Sequence, residues 1–416
     1  MAKAPSSKPS ASKSDAKPAS KPAPKSAGKT ASRAKGVGLI EDAPAKKRAE
    51  LPPLVVGSMR DVIGQDRALE VLQKSLASGR MHHAWIFHGP AGVGKFTAAV
   101  AFAATLLDPT SRRAADGFIE PDPAGPIAKL LKSGSHPDLH VIVKELARFH
   151  EDPKVRSAKL LTIPMKVIDQ HLVVPATKAA MIQPGGLASK VFIIDEAELL
   201  DRSASHAPAQ ASILKTLEEP PPGTVIILVT SNEDRLLPTI RSRSQRVAFT
   251  LLDDDAMKKW MRARAVELPR EQATWLLSHA AGSPGALLEA VRDNLYQWHA
   301  AIDPKLTALE RGGAAPELGP AMAKLVDDWA EAFVKRDANA SKEAANHGAL
   351  DVLFRMLAER GRAGLRAGGP GVRSWLAALD HVRNAERHAA SNVNVGLLLG
   401  NLVAQWGASF EPAARD

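Results

Sequence analysis

The chain has 416 residues, 45% of them apolar and 24% charged, with a formal net charge of +10 and no cysteine. That length allows two or three domains with cores of their own, and the balance is that of a soluble globular protein. Without cysteine there can be no disulfide, no thiolate zinc site and no cysteine nucleophile.

The charge is unevenly placed. Residues 1–50 hold 12 Lys or Arg and 4 Asp or Glu, so the remainder of the chain is close to neutral. This Lys/Ser/Ala/Pro stretch has no aromatic residue and cannot bury enough apolar surface to offset the entropy of ordering. It reads as a disordered basic tail, either a plain solvated extension or an arm that touches DNA phosphates. It lacks the apolar stretch of a secretory signal, and no segment approaches the ~18 consecutive apolar residues of a membrane span. A cytoplasmic location is expected.

Next come five short apolar runs, Ala84–Phe87, Leu139–Val143, Val191–Ile194, Val225–Val229 and Arg246–Phe249. Separated by helix-length segments, they predict a five-stranded parallel α/β sheet with helices on both faces, over residues 51–250. A helix is predicted over Gly94–Leu107 and another over Ala209–Glu219, the latter stopped by Pro220-Pro221-Pro222. The Pro-, Gly- and charge-rich segment Asp108–His136 reads as an inserted loop. After Thr250 strand-like runs vanish and six of the seven tryptophans appear, at helical spacing. A small helical lid is expected over 251–303 and an all-helical collar domain over 304–416. Gly/Pro-rich links at 312–320 and 364–371 punctuate the collar.

Four features carry chemistry. Gly89-Pro90-Ala91-Gly92-Val93-Gly94-Lys95 lies between a strand and a helix, where backbone N–H groups and the helix N-terminus can cradle phosphates and Lys95 can reach the β- and γ-phosphates. The next residue is Phe96, where a Ser or Thr hydroxyl would hold magnesium; Thr97 offers a hydroxyl one residue late, on another side of the helix. Asp195 and Glu196 end a buried strand, where one acid would orient magnesium and the other polarise water, although paired acids at a strand end are also common solvated caps. Ser231 and Asn232 end the next strand, in the place of a γ-phosphate sensor. The expected nucleotide-binding set is therefore Gly89, Gly92, Gly94, Lys95, Thr97, Asp195, Glu196 and Asn232, with no independent metal site. Gly282–Leu287 has no arginine for a second sensor. Finally, Arg243 in Ser242-Arg243-Ser244 is either a surface arginine paired with an acid or a planar, permanently charged group aimed at a neighbour's γ-phosphate.

These segments together resemble the clamp-loader AAA+ family, in particular the delta-prime subunits of bacterial DNA polymerase III. The resemblance runs from Met59 to Phe249. It rests on Val62-Ile63-Gly64-Gln65, His83-Ala84-Trp85-Ile86-Phe87, His136-Pro137-Asp138, Lys215-Thr216-Leu217-Glu218-Glu219-Pro220 and the Ser242-Arg243 turn, with Asn392–Leu398 similar to the family's last helix. It implies a non-hydrolysing stator that places Arg243 as an arginine finger against ATP on a gamma/tau-type motor subunit. The implied partners are that motor, the delta subunit, the sliding clamp and primed DNA; no membrane is implied. ATP or ADP would bind weakly and magnesium only with nucleotide. The family's four-cysteine zinc module has no counterpart in Asp108–His136, so no zinc is expected. The alternative within the family is the ATP-hydrolysing motor, against which Phe96 and the missing second-sensor arginine speak. An unrelated P-loop kinase or helicase would leave the Leu217–Pro220 and Ser242–Ser244 segments unexplained.

Overall fold

The computed structural model describes residues 57–157, 160–182, 185–200, 207–336, 341–368, 371–389 and 394–410. The basic tail at 1–50 lies outside the described residues. Seven strands form among the described residues: β1 Ala84–His88, β2 Arg112–Arg113, β3 Ile119–Glu120, β4 Leu139–Ile142, β5 Lys190–Ile194, β6 Thr224–Thr230 and β7 Gln245–Ala248. Five of them make one sheet in the order β4-β5-β6-β1-β7. Every pairing in it is parallel, with Ala84 opposite Ile226, Lys190 opposite Thr224 and Trp85 opposite Gln245.

Alternation along the central strands assigns their apolar residues to one of two cores. Trp85, Phe87, Val191, Ile193, Val225, Ile227 and Val229 pack with the helices Asp66–Ser78 and Lys95–Leu107. Ile86, Phe192, Ile194, Ile226 and Leu228 face Val167, Leu172, Ile213 and Leu217 on the other side. A slip of one residue would exchange these two sets, so burial on both faces fixes the register. Helix Lys95–Leu107 is apolar nearly all round and almost wholly buried, as a helix enclosed by protein must be.

Asp108–His136 is not the plain loop its composition suggests. It contains the antiparallel β2–β3 hairpin and the helix Pro126–Lys132. Side-chain bonds to backbone order it: buried Asp108 accepts from the Thr110 N–H at 2.9 Å, the Thr110 hydroxyl at 2.6 Å and the Asp122 N–H at 2.8 Å. Arg60 holds Asp116 through two bonds of 2.7 and 2.9 Å, and Gln73 exchanges two bonds with the backbone of Ile119. Ties of this kind leave no hydrophobic period in the sequence.

The C-terminal part is built of helices, from Asp254–Ala263 to Val395–Ala408, with no strand among its described residues. One buried cluster runs from Leu252 and Met257 to Leu402 and Trp406. The division placed at 303/304 falls inside a single helix, Leu295–Glu310, which continues through Pro304. Its buried stripe of Trp298, Ile302, Leu306 and Leu309 offsets the hydrogen bond that the proline removes. The links expected at 312–320 and 364–371 are partly helical, since helices span Leu318–Arg336 and Lys342–Ala367. Gly364 belongs to the second of these because a Cβ there would lie 2.2 Å from the Trp375 ring. It is a packing position, not a break. Among the described residues no helix is long and apolar enough to cross a membrane.

Candidate nucleotide-binding site

The cleft opens at the C-terminal ends of the parallel strands, where ligands of open α/β sheets bind. β1 delivers the glycine loop, β5 delivers Asp195 and Glu196, and β6 delivers Ser231. With the lid residues Trp260, Arg264, Val266, Pro284, Gly285 and Leu288 they enclose a cavity of about 820 Å³.

The loop depends on glycine. At Gly89 φ is 137°, and a Cβ would stand 2.1 Å from the Phe249 carbonyl oxygen. At Gly92 φ is 74°, and a Cβ would meet the Ser283 hydroxyl at 2.6 Å. Gly94 then opens helix Lys95–Leu107 with no side-chain cap, which leaves that helix's first N–H groups available to an anion. The Lys95 side chain is buried, and its ammonium donates to the carbonyls of Gly89 at 2.7 Å and Pro90 at 2.5 Å. Burial lowers its pKa, while the charges of Glu198 and Asp195 oppose that shift.

Gly92, Gly94, Lys95, Thr97, Asp195 and Glu196 all line the cavity. Gly89 does not; its role is the carbonyl that receives Lys95. Asn232 is also absent from the lining, because its Oδ1 accepts from the Asp234 N–H at 3.2 Å and caps the following turn. Thr230 and Ser231 stand at the cavity in its place. Arg243 lies away from this cleft, paired with Glu218 at 2.9 Å and donating to the Thr239 carbonyl at 3.1 Å.

The acids are not arranged like the loop. Burial, followed by the charges of Glu196 and Glu198, pushes Asp195 up to about 6, against the bond it accepts from the Glu196 N–H. Glu196 sits at φ 47°, a left-handed conformation uncommon for a side chain of its size, and its carboxylate pairs with Lys144 at 2.7 Å. Phe96 lines the cavity while packing against the core below it, and no oxygen occupies its position. No group of three or more His, Cys, Asp or Glu among the described residues is placed to hold a metal ion. The residues present fit a nucleotide's phosphates. They do not supply the usual side-chain seat for magnesium.

Three contributors escaped the sequence reading. Glu198, the second glutamate after Asp195, lines the cavity and accepts from the Ser231 N–H at 3.1 Å and from the Ser231 hydroxyl. Buried Gln65 donates to the carbonyls of Val93 at 3.2 Å and Thr250 at 2.7 Å, joining the loop to the start of the lid. Ser283 donates to the Ala91 carbonyl at 2.9 Å, and the Gly285 N–H donates to the Gly92 carbonyl at 2.8 Å. The third acid in Asp195–Glu198 was a visible signal. Gln65 stood in the Val62–Gln65 segment, but nothing there pointed to its bonds with Val93 and Thr250, and Ser283 gave no signal.

Fold and cleft together define a P-loop-like α/β module. Residues 64–253 match the family model described as "DNA polymerase III, delta subunit". The delta-prime subunit of DNA polymerase III from Pseudomonas aeruginosa is 33% identical over 216 residues, 52% of this chain and 58% of that protein. The Bacillus subtilis delta-prime subunit is 32% identical over 196 residues, covering 47% and 50% of the two chains. The tau subunit of the same organism is 30% identical over 204 residues, 47% of this chain and 30% of its own length. The chain thus spans about half the length of the curated delta-prime relatives it matches. Over residues 64–253 it is similar to the delta-prime subunits of DNA polymerase III.

Proposed function

We propose that this chain is a delta-prime-type stator of a replicative clamp loader: it keeps a phosphate-binding loop but does not turn ATP over, and it offers Arg243 to the ATP of an adjacent motor subunit. The observation that carries this reading is Phe96. It fills the first-turn position of helix Lys95–Leu107, at the cavity wall, where phosphoryl transfer needs a magnesium ligand. Glu196, engaged by Lys144, supports it further. A nucleotide would be held by the N–H groups after Gly92 and by Lys95, once its ammonium leaves its own loop.

Arg243 suits service to a neighbour. Its side chain is 38% exposed, and its partner Glu218 is 50% exposed. A surface ion pair of this kind contributes about 0–1 kcal/mol, so exchanging the carboxylate for a phosphate costs little. The guanidinium is planar and permanently charged, which fits it to developing phosphoryl charge. In this reading, 251–303 acts as lid and 304–416 as the collar that joins the other subunits. The partners would be a gamma/tau-type motor and delta, and through the complex the sliding clamp and primed DNA. The setting would be the cytoplasm.

The rival reading, an ATP-hydrolysing gamma/tau-type motor, is favoured by the likeness to tau and by the intact loop. Replacing Arg243 with Ala in a loader reconstituted with its motor subunits separates the two. A stator's arginine finger is worth roughly 10³-fold or more in turnover at the site it serves. The expected result is a deep loss of DNA-stimulated ATPase activity with assembly intact. Undiminished turnover would retire the assignment of Arg243.

A further inference from the structure

The cavity has four acids in its wall, Asp61, Asp195, Glu196 and Glu198, against two cationic side chains, Lys95 and Arg264. Lys95 is turned back onto the carbonyls of Gly89 and Pro90. Glu196 is neutralised by Lys144, Glu198 is engaged by Ser231, and Asp61 accepts from the Ser58 N–H at 2.9 Å. Arg264 alone among the charged lining residues has no ion pair or side-chain hydrogen bond to another described residue, and it is exposed.

Its backbone is specifically held. Arg264 closes helix Asp254–Ala263, its N–H bonding the Trp260 carbonyl at 3.0 Å. The chain then turns through Ala265 at φ 48°, and the Val266 N–H returns to the Met261 carbonyl at 2.9 Å. A helix end of this kind favours glycine at the left-handed position, so an alanine there retains strain beside the cavity. The turn places Trp260, Arg264 and Val266 together on the cavity wall. The other route for a lid cation is closed, because Gly282–Leu287 contains no arginine and Gly285 is pressed against Gly92.

We propose that Arg264 is the lid's phosphate-binding residue, which allows this cavity to take a nucleoside diphosphate or triphosphate without magnesium. The inference rests on the reading of the cavity as a nucleotide site. A guanidinium at the wall compensates the wall's acids and offers several N–H donors to phosphate oxygens, a task that a metal ion held at position 96 would otherwise share. Arg264 acts by binding, with no part in bond cleavage.

The test uses the full-length chain, with direct calorimetric titration of ADP and of adenosine in excess EDTA, for the wild type, Arg264→Ala and Arg264→Lys. The wild type should bind ADP without metal. Arg264→Ala should weaken ADP at least ten-fold and leave adenosine unchanged, with Arg264→Lys intermediate; thermal melting without ligand should be the same for all three. Equal ADP affinity in Arg264→Ala overturns the proposal while leaving the nucleotide site standing. An equal loss for adenosine would mean the guanidinium contacts the base, and the phosphate role falls. If the wild type binds neither ligand, the nucleotide reading of the cavity fails, and the proposal fails with it.

Discussion

The two ends of the cleft are built from different materials. The phosphate-loop end is backbone: glycine conformations, an uncapped helix terminus and carbonyls that hold Lys95. The acid end is side chains: Asp195, Glu196 and Glu198 crowd together, and Phe96 occupies the place of a metal-binding hydroxyl. A backbone cradle also carries the fold, since Gly89 abuts Phe249 and Gly92 abuts the lid. It resists loss. Side chains that serve only turnover can be replaced one at a time without disturbing the sheet. A protein retained for its shape would therefore keep the first end and lose the second.

The largest effect expected from this contrast is structural. Gly89→Ala puts a Cβ 2.1 Å from the Phe249 carbonyl oxygen at a φ of 137°. It should cost about 4 kcal/mol or more, read as a lowered midpoint in urea unfolding. A loss within 1 kcal/mol would show that the loop is not structural, and the contrast would disappear.

The acid end should respond with the opposite sign. The Asp195 carboxyl is raised from its ordinary 3.8 to about 6 in the folded chain. Above pH 6 it is ionised in both states, and the folded state bears the cost of a buried, crowded charge. As pH falls from about 6 towards 3.8 the folded state takes up the proton first, so this cost is relieved and stability from this group rises. Asp195→Asn should therefore stabilise the chain at pH 7.5 by up to about 3 kcal/mol and remove this part of the pH dependence. Thermal melts of both forms at pH 7.5 and pH 5 measure it. Destabilisation at pH 7.5 would mean that the ionised Asp195 has a partner that holds the fold together.

Much of this contrast was legible in the sequence. Five apolar runs marked all five strands of the main sheet, because a sheet buried on both faces leaves no other pattern. The loop was legible because a strand-to-helix turn of this shape admits only glycine at Gly89 and Gly92. The bond from Gln65 was hidden because its partner Thr250 lies 185 residues away. Ser283 reaches Ala91 over a comparable distance of 192 residues. Asn232 stands outside the cavity lining because a strand end and the turn that follows look alike in sequence, and only its bond with the Asp234 N–H separates them. Gly364 reads in sequence as part of a link, but the Trp375 ring beside it is what requires glycine there.

Phosphate release by the purified chain, with ATP and excess magnesium, tests the separation of binding from turnover most directly when it is compared with Lys95→Ala. Both proteins should release phosphate at the same background rate, while the wild type alone binds nucleotide. Steady turnover by the wild type that disappears in Lys95→Ala would contradict that separation, and would make this chain a motor.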